Sequence, residues 1–338
     1  MARIEAILVP AVNMEACLEN ILLKTGFNSE RAAEIAKVFT ANSIDGVYTH
    51  GVNRFPRFIS YVKKGIVQKN VLPLLKSKFN GIEQWDGHLG PGISNAIAAT
   101  ARSMKLAAEN GIGCVALSNT NHWMRGGTYG WQAANAGYVF IGWTNTIANM
   151  PAWGATDARL GNNPLVIALP YNNDAIVLDM AMSQYSFGSM ELAVMKNEKL
   201  QVNGGFDIKG DITSDPAAIL TSQRPMPVGY WKGAGLSLLL DILAAILSGG
   251  LSTQEISKRK DEYGLSQVFV AIDIKRLPGH SAIPQLIQDV ITDYKRSIPQ
   301  DGFTSITYPG ERVLQTRKQN LEKGIPVMPQ VWDEILKL

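Results

Sequence analysis

Cysteine and long apolar runs are scarce in this 338-residue chain, and each scarcity narrows what the protein can be. The two cysteines, Cys17 and Cys114, lie in apolar sequence, so we interpret them as core residues of a protein in a reducing compartment. The first residues lack the charged and then apolar order of a signal peptide. The most apolar run, Leu236 to Leu247, is interrupted by Asp241 and is too short to cross a bilayer, so we predict a buried helix in a cytoplasmic protein without a membrane partner.

Charge is also sparse and evenly spread. Charged residues make up 18% of the chain, and the formal net charge is +3. A nucleic-acid-binding protein normally concentrates its positive charge, so this pattern disfavours a nucleic-acid partner. Hydrophobic residues make up 46% of the chain, which predicts a large folded core.

The common fingerprints of nucleotide and hydrolase sites are missing. Gly90-Pro91-Gly92 and Gly233-Ala234-Gly235 both lack the third glycine of a Gly-x-Gly-x-x-Gly loop, and neither a Walker A motif nor a Gly-x-Ser-x-Gly elbow occurs. An orthodox Rossmann fold, a P-loop enzyme and an α/β-hydrolase are therefore disfavoured. The four histidines show no metal-ligand spacing, and no acidic segment is typical of a calcium loop, so we predict no metal site.

Apolar residues recur with both helical and extended periods, and helices and strands do not strictly alternate, which predicts an α/β or α+β protein; we expect the α/β class. Ser29 is the predicted N-cap of the second helix, and Gly111 ends an alanine-rich helix before a buried strand. The chain is long enough for two domains. The predicted helices are 14–25, 30–42, 92–110, 233–248, 281–297 and 329–337, and the predicted strands are 112–117, 138–144, 165–169, 175–180, 267–274 and 303–307.

The most informative segment surrounds His50. Residues 49–57 read Thr-His-Gly-Val-Asn-Arg-Phe-Pro-Arg, and Pro56 suits the first turn of a following helix. Histidine exchanges a proton near neutral pH, and arginine binds a carboxylate through two parallel hydrogen bonds. Together they suggest a site that protonates or deprotonates a small organic acid, although a helix-entry histidine beside solvated arginines would show the same residues.

A second candidate segment contains His122. Residues 119–127 read Asn-Thr-Asn-His-Trp-Met-Arg-Gly-Gly and follow the end of a predicted buried strand. Ligands of open α/β sheets bind at such carboxyl ends, so a functional role is favoured over packing. His88 and His280 lie next to Gly and Pro and are interpreted as surface-turn residues.

Three further places could hold an anionic cofactor, and each is a weak signal. Lys232 and the small residues after it precede a helix, whose N-terminus favours a phosphate. Asp179 ends a predicted strand and suits a ribose. The segment Pro309-Gly310-Glu311-Arg312 places a tight turn and opposite charges after a late strand.

Several of these segments resemble the malate/L-lactate dehydrogenase family that does not use a Rossmann fold. The resemblance runs from about residue 14 to the C-terminus. It is carried by residues 46–58, by Asn121 to Gly127, by Gly130 to Ala134, and by Met226 to Gly233. Chance agreement over strings of this length is implausible.

The resemblance implies hydride transfer from NADH, or from NADPH, to the 2-keto group of a sugar-derived diketo acid. It makes His50 the proton donor, and we expect Arg54, Asn121 and His122 to bind the substrate. It also implies a homodimer and a cofactor domain of unusual topology (126–284) inserted into a catalytic domain built from 1–125 and 285–338. The cofactor residues it implies are Ala175, Ile176, Val177, Leu178, Asp179, Met180, Ala181, Trp231, Lys232, Gly310, Glu311 and Arg312.

Two departures from the family pattern affect these expectations. Met182 stands where the family commonly has threonine, which removes a hydroxyl near the expected cofactor, and Asn162 stands in a second threonine position. Within the family the substrate could instead be malate, lactate, sulfolactate, ureidoglycolate or a cyclic imine. Trp123, Met124 and Arg125 resemble the sugar-acid branch. Rivals from other classes are a non-catalytic sugar-acid binding protein and a cofactor-free isomerase or lyase.

Overall fold

A seven-stranded mixed sheet forms the centre of the computed structural model, which describes residues 6–338. The strand order is β2-β3-β4-β12-β5-β8-β9, with β3 and β4 parallel and the other neighbours antiparallel. The strands are β1 (Ile7–Val9), β2 (Leu74–Phe79), β3 (Ile82–Asp86), β4 (Ile112–Thr120), β5 (Tyr138–Thr144), β6 (Met150–Pro151), β7 (Ala158–Leu160), β8 (Leu165–Tyr171), β9 (Asp174–Met180), β10 (Gly205–Phe206), β11 (Ile212–Thr213), β12 (Leu265–Asp273) and β13 (Ile325–Val327).

Helices cover both faces of the sheet. On one face α4 and α5 pack through small side chains, and a Cβ on Gly113 would lie 2.2 Å from the carbonyl oxygen of Ser103, so β4 runs close against α4. The opposite face carries α8. The helices are α1 (Ala11–Lys24), α2 (Ser29–Ile44), α3 (Phe55–Lys63), α4 (Gly92–Asn110), α5 (Gly127–Asn135), α6 (Phe187–Met195), α7 (Pro216–Ser222), α8 (Trp231–Ser248), α9 (Thr253–Ile256), α10 (Ile283–Lys295), α11 (Glu311–Lys323) and α12 (Pro329–Leu336).

A second core joins the two ends of the described chain. Strand β1 pairs with β13, and Ile335 from the last helix is buried among apolar residues of α1, α2 and α3. Phe39 and Phe55 meet edge to face there, with ring centroids 5.2 Å apart. The predicted division into 126–284 and the two chain ends stays a prediction. The seven-stranded sheet crosses the predicted boundary at residue 125: β2, β3 and β4 come before it in the chain, and the other four strands come after it.

Several local predictions are wrong. Asn28, not Ser29, caps α2, since its side chain accepts a hydrogen bond from the Arg31 N–H. Residues 303–307 form no strand, and the β2–β3 hairpin was missed because β2 is exposed along its whole length and carries no alternation. The α/β class is confirmed.

The prediction of a buried apolar helix is also wrong. Helix α8 buries one side, with Ser237, Leu240 and Ala244 against the sheet, while Leu239 and Ile246 are 57% and 65% exposed. Among the described residues it is the one helix whose length and composition would suffice to cross a membrane, and 33% of it is buried. Asp241 faces the protein, where it accepts hydrogen bonds from Asn145 and the Thr253 N–H.

Candidate active site

His50 lies in a tight 3₁₀ turn between α2 and α3 that its neighbours hold in place. The Asn42 side chain donates to the His50 carbonyl oxygen over 2.9 Å. A Cβ on Gly51 would lie 2.3 Å from the Ser43 hydroxyl, so this position requires glycine. That hydroxyl accepts a hydrogen bond from the Val52 N–H. These contacts therefore fix the backbone of His50 beside the end of α2.

Helix α3 divides its residues between core and site. Phe55, Phe58, Ile59 and Val62 are buried, whereas Arg54, Arg57 and Tyr61 line a cavity together with His50. The spacing of three and four residues puts these polar side chains on one helical face. As predicted, Pro56 lies in the first turn of the helix that follows His50, and both arginines lie beside that histidine.

The ring of His122 stacks on that of His50. The ring centroids are 5.6 Å apart, and the planes are inclined by 21°. The Met124 N–H donates to Nδ1 of His122 over 2.9 Å, and Met124 adopts a left-handed φ of 65° to make this contact. Because Nδ1 accepts, neutral His122 carries its proton on Nε2 and can donate from there.

Both histidines are held in their neutral form. Burial, helped by the positive charges of Arg54 and Arg125, lowers the pKa of His50 from 6.5 to about 4. Burial, Arg54, His50 and Arg57 lower the pKa of His122 well below its ordinary value. The guanidinium groups of Arg54 and Arg57 beside two neutral histidines favour a carboxylate at this end of the site, since its negative charge offsets theirs.

Two cavities share His50, His122 and Asn162 in their linings. One has a volume of about 400 Å³ and includes Arg54 and Arg57. The other has a volume of about 230 Å³ and includes Asp179 and Ala181, at the end of β9. The histidine pair therefore borders two spaces, one next to the arginines and one next to a predicted cofactor segment.

The predicted cofactor segments lie around edge strand β9. The Val177 N–H donates to the Pro309 carbonyl oxygen over 3.1 Å, and a Cβ on Gly310 would lie 3.2 Å from the same nitrogen. The segments 175–181 and 310–312 are therefore adjacent. The side chains of Ala175 and Val177 face the core.

Most of the other predicted cofactor side chains lie away from the two cavities. Trp231 and Lys232 begin α8 and are exposed, and they are connected to the end of β9 by the Val228 N–H, which donates to the Met182 carbonyl oxygen. The Glu311 carboxylate pairs with Lys295 and accepts from the Tyr308 N–H. Of the twelve predicted cofactor residues, Asp179 and Ala181 line the cavity beside His50.

The Asn121 side chain holds backbone segments next to the site. Its side-chain N–H₂ donates to the carbonyl oxygens of Ile66, Leu89 and Gly90, at 3.2, 2.7 and 3.1 Å. Leu89 has a left-handed φ of 53°, so this amide holds a strained turn beside the His122 loop. The structure thus gives the Asn121 amide a supporting position.

Sequence reasoning missed an ionic network that connects the two histidine segments. Asp45, at the end of α2, pairs with the buried Arg125 and accepts two hydrogen bonds from Arg317, at 2.7 and 3.0 Å. Arg125 also lies 4.0 Å from Asp179, whose carboxylate accepts from the Gly127 N–H at 2.7 Å. Asp45 and Arg317 are 272 residues apart, so no local pattern could have shown the pairing.

A family model described as malate/L-lactate dehydrogenase matches residues 9–336. The chain belongs to this family. The resemblance noted in the sequence is confirmed, and the protein is a dehydrogenase that uses a nicotinamide cofactor.

Relatives of this malate/L-lactate dehydrogenase match nearly its whole length. The 2,3-diketo-L-gulonate reductase of Escherichia coli O127:H6 is 42% identical over 96% of this chain and 98% of its own length. Malate dehydrogenase from Pyrococcus horikoshii OT3 superposes with a TM-score of 0.88 at 28% identity, covering 98% and 95% of the two chains. Malate dehydrogenase from Entamoeba histolytica, at 22% identity, shares the fold with a TM-score of 0.93 over 98% and 97%.

The two departures from the family pattern occupy different environments in this dehydrogenase. Met182 is fully buried in the core beneath α8, so its side chain is part of the packing and not of the cavity wall. Asn162 lines both cavities, and its Oδ1 accepts from Thr146 and from Asn149, each at 3.2 Å. The substitution at residue 162 therefore reaches the site, whereas the one at residue 182 does not.

Proposed function

We propose that this dehydrogenase reduces the 2-keto group of 2,3-diketo-L-gulonate to a hydroxyl group, giving 3-dehydro-L-gulonate. The observation that carries the proposal is the His50–His122 pair, which borders an arginine-lined cavity on one side and the end of β9 on the other. A relative that is 42% identical over nearly the whole chain and is named for this reaction supports the choice of substrate.

The proton comes from His50. Its Nδ1 lies 3.3 Å from the Thr49 hydroxyl, which leaves Nε2 to donate to the alkoxide that forms when hydride reaches C2. General acid catalysis of this kind contributes about 10²- to 10⁴-fold. Arg54 binds the substrate carboxylate through its planar guanidinium, and Nε2–H of His122 donates to a substrate oxygen or to the carboxamide of the nicotinamide.

The nicotinamide cofactor, NADH or NADPH, supplies the hydride when bound. The residues present fit such a group, because the cavity of about 230 Å³ joins His50 and His122 to Asp179 and Ala181 at the end of β9. The segment 310–312 lies beside that strand. The N–H groups at the start of α8, together with Lys232, would face a phosphate.

We further propose that the exposed face of α8 docks on a second copy of the chain in the cytoplasm. Contiguous apolar surface of this kind marks an interaction site, and Leu239, Ile242 and Ile246 are 57%, 42% and 65% exposed along one side of the helix. The double change Leu239→Lys with Ile246→Lys should convert dimers to monomers in light scattering after gel filtration. Ile208→Lys, in the exposed turn between β10 and β11, should not. A double variant that stays dimeric would rule out this face.

The activity test follows absorbance of NADH, and then of NADPH, with 2,3-diketo-L-gulonate beside pyruvate and oxaloacetate. Turnover of the diketo acid supports the proposal, whereas turnover of the short acids alone contradicts the substrate. His50→Asn should reduce turnover to a low residual rate while cofactor binding persists. His88→Asn is the matched control, because His88 is exposed and has a left-handed φ of 48° that asparagine tolerates. Turnover retained in His50→Asn would contradict the acid role.

A further inference from the structure

The cavity beside Arg54 is larger than a three-carbon keto acid needs. Its volume is about 400 Å³, and residues of the segments 146–149, 186–191 and 260–262 form much of the lining beyond the histidines and arginines. A cavity of this size suits a ligand with many atoms and several polar contacts. The residues of these three segments therefore meet whatever the substrate carries beyond its keto and carboxylate groups.

Of the three carboxylates in this lining, Glu191 and Glu262 lie close to the guanidinium group of Arg54, and Asp261 pairs with Lys64. Burial lowers the pKa of Arg54, and the negative charges of Glu262 and Glu191 act in the opposite direction. Neither glutamate is neutralised by an ion pair within residues 6–338. The glutamates that form ion pairs there are Glu34, Glu83 and Glu311.

The same lining contains further hydrogen-bond acceptors in fixed positions. The Ile147 N–H donates to Oε2 of Glu262 over 3.0 Å and holds that carboxylate at the wall. Asn149 donates its N–H₂ to Asn162, and its buried Oδ1 has no partner among residues 6–338. A buried acceptor without a donor is costly, so this wall favours a ligand that brings donors.

The charges in the cavity constrain how a keto acid can lie. Its carboxylate is attracted by Arg54 and Arg57 and repelled by Glu191 and Glu262, so the acid end faces the arginines. The third cation of the lining, Lys260, lies next to the carboxylate of Asp261 in the chain and not in the arginine group on α3. The rest of the molecule then extends along Glu191, Glu262 and Asn149. Hydroxyl groups donate hydrogen bonds to these oxygens, whereas the second carboxylate of oxaloacetate is repelled by them and pyruvate offers no donor.

We infer that Glu191 and Glu262, with Asn149, select a polyhydroxylated keto acid and reject a dicarboxylic one. The inference rests on the proposed function, because it assumes that the keto group reacts beside His50. By this inference, these three residues determine whether an enzyme of this fold accepts a sugar acid or a dicarboxylic acid such as oxaloacetate.

The test compares kcat/KM for 2,3-diketo-L-gulonate, oxaloacetate and pyruvate in Glu262→Gln and Glu191→Gln. Glutamine keeps the shape of the side chain but removes the charge. A lost hydrogen bond to a charged group should lower kcat/KM for the diketo acid about 10- to 100-fold. The value for oxaloacetate should rise, and that for pyruvate should change much less. Glu198→Gln is the matched control, since Glu198 is exposed and outside the cavity lining.

Equal proportional losses on all three substrates, or an unchanged ratio between diketo acid and oxaloacetate, would overturn the inference. The thermal midpoint and the NADH affinity of each variant show whether it folds. If loss of the Ile147 contact unfolds Glu262→Gln, the comparison is made with Glu191→Gln alone. Failure of the proposed function is seen separately, as absent diketo acid turnover in the unmodified enzyme. In that case the oxaloacetate measurement alone decides, because a value that does not rise contradicts the inference.

Discussion

The lowered pKa of His50 leads to a pH dependence that differs from that of an ordinary histidine. With a pKa of about 4, the protonated fraction of His50 in the ligand-free enzyme at pH 7 is about 1 in 1,000, against about 1 in 4 for a pKa of 6.5. This difference in pKa corresponds to about 3 kcal/mol against the charged form of His50 in the folded protein. Reduction requires protonated His50. In the free site, burial and the charges of Arg54 and Arg125 therefore oppose catalysis until substrate binds.

The kcat/KM for keto acid reduction should therefore fall about tenfold per pH unit between about pH 5 and 8, because it reports the free enzyme. The kcat profile should bend at a higher pH, since a carboxylate bound to Arg54 offsets part of the positive charge that lowers the His50 pKa. Oxidation of the hydroxy acid uses neutral His50 as base and should not depend on this group above about pH 5. Steady-state rates in both directions across this range provide the assay.

Two results would refute this reasoning. A kcat/KM inflection at or above pH 6.5 would show that the pKa of His50 is not lowered. A flat profile for reduction would remove His50 as the acid, and the low residual rate of His50→Asn should itself show no such slope. Stability gives an independent check. In the unfolded chain His50 binds a proton below about pH 6.5, whereas in the folded protein it does so only near pH 4. The free energy of unfolding should therefore decrease by up to about 3 kcal/mol as the pH falls from 6.5 to 4.

Three further predictions concern the surroundings of the site. Arg54→Lys should lower kcat/KM for the keto acid about 10- to 100-fold with unchanged cofactor affinity, because lysine cannot make the planar two-point contact; unchanged keto acid kinetics would contradict that role. Asp45→Asn leaves a buried guanidinium without its partner and should cost about 3–5 kcal/mol in urea unfolding, whereas the exposed Asp157→Asn should cost at most about 1 kcal/mol; equal effects would contradict the network. Gly92→Ala places a Cβ 2.2 Å from the Asn121 carbonyl oxygen, so we expect about 1–3 kcal/mol of destabilisation and reduced turnover, and wild-type values for both would contradict it.

Sequence periodicity identified much of the local structure. The helix at Gly92–Asn110 and the strand at Tyr138–Thr144 match their predicted limits, because a steady apolar period and a terminal glycine are local signals. The all-exposed strand β2 carries no such period, and the cap at residue 28 competed with an equally suitable neighbour. The exposure of one side of α8 could not be predicted from the sequence. A helix that is apolar on all sides has the same sequence pattern whether its outer side packs in the core, against a partner or in a membrane.

The sequence by itself determined which functional groups are present. These are a histidine and two arginines around a helix with proline in its first turn, and a second histidine after a buried strand. It also determined the family to which the chain belongs. Their proximity was decided by the tertiary structure. The stacking of His50 on His122, the lowered pKa of both rings, and the approach of Asp45 to Arg317 across 272 residues arise from strand order and helix packing. Electrostatic and hydrogen-bond energies depend on distance and burial in space, and neither can be read from separation along the chain.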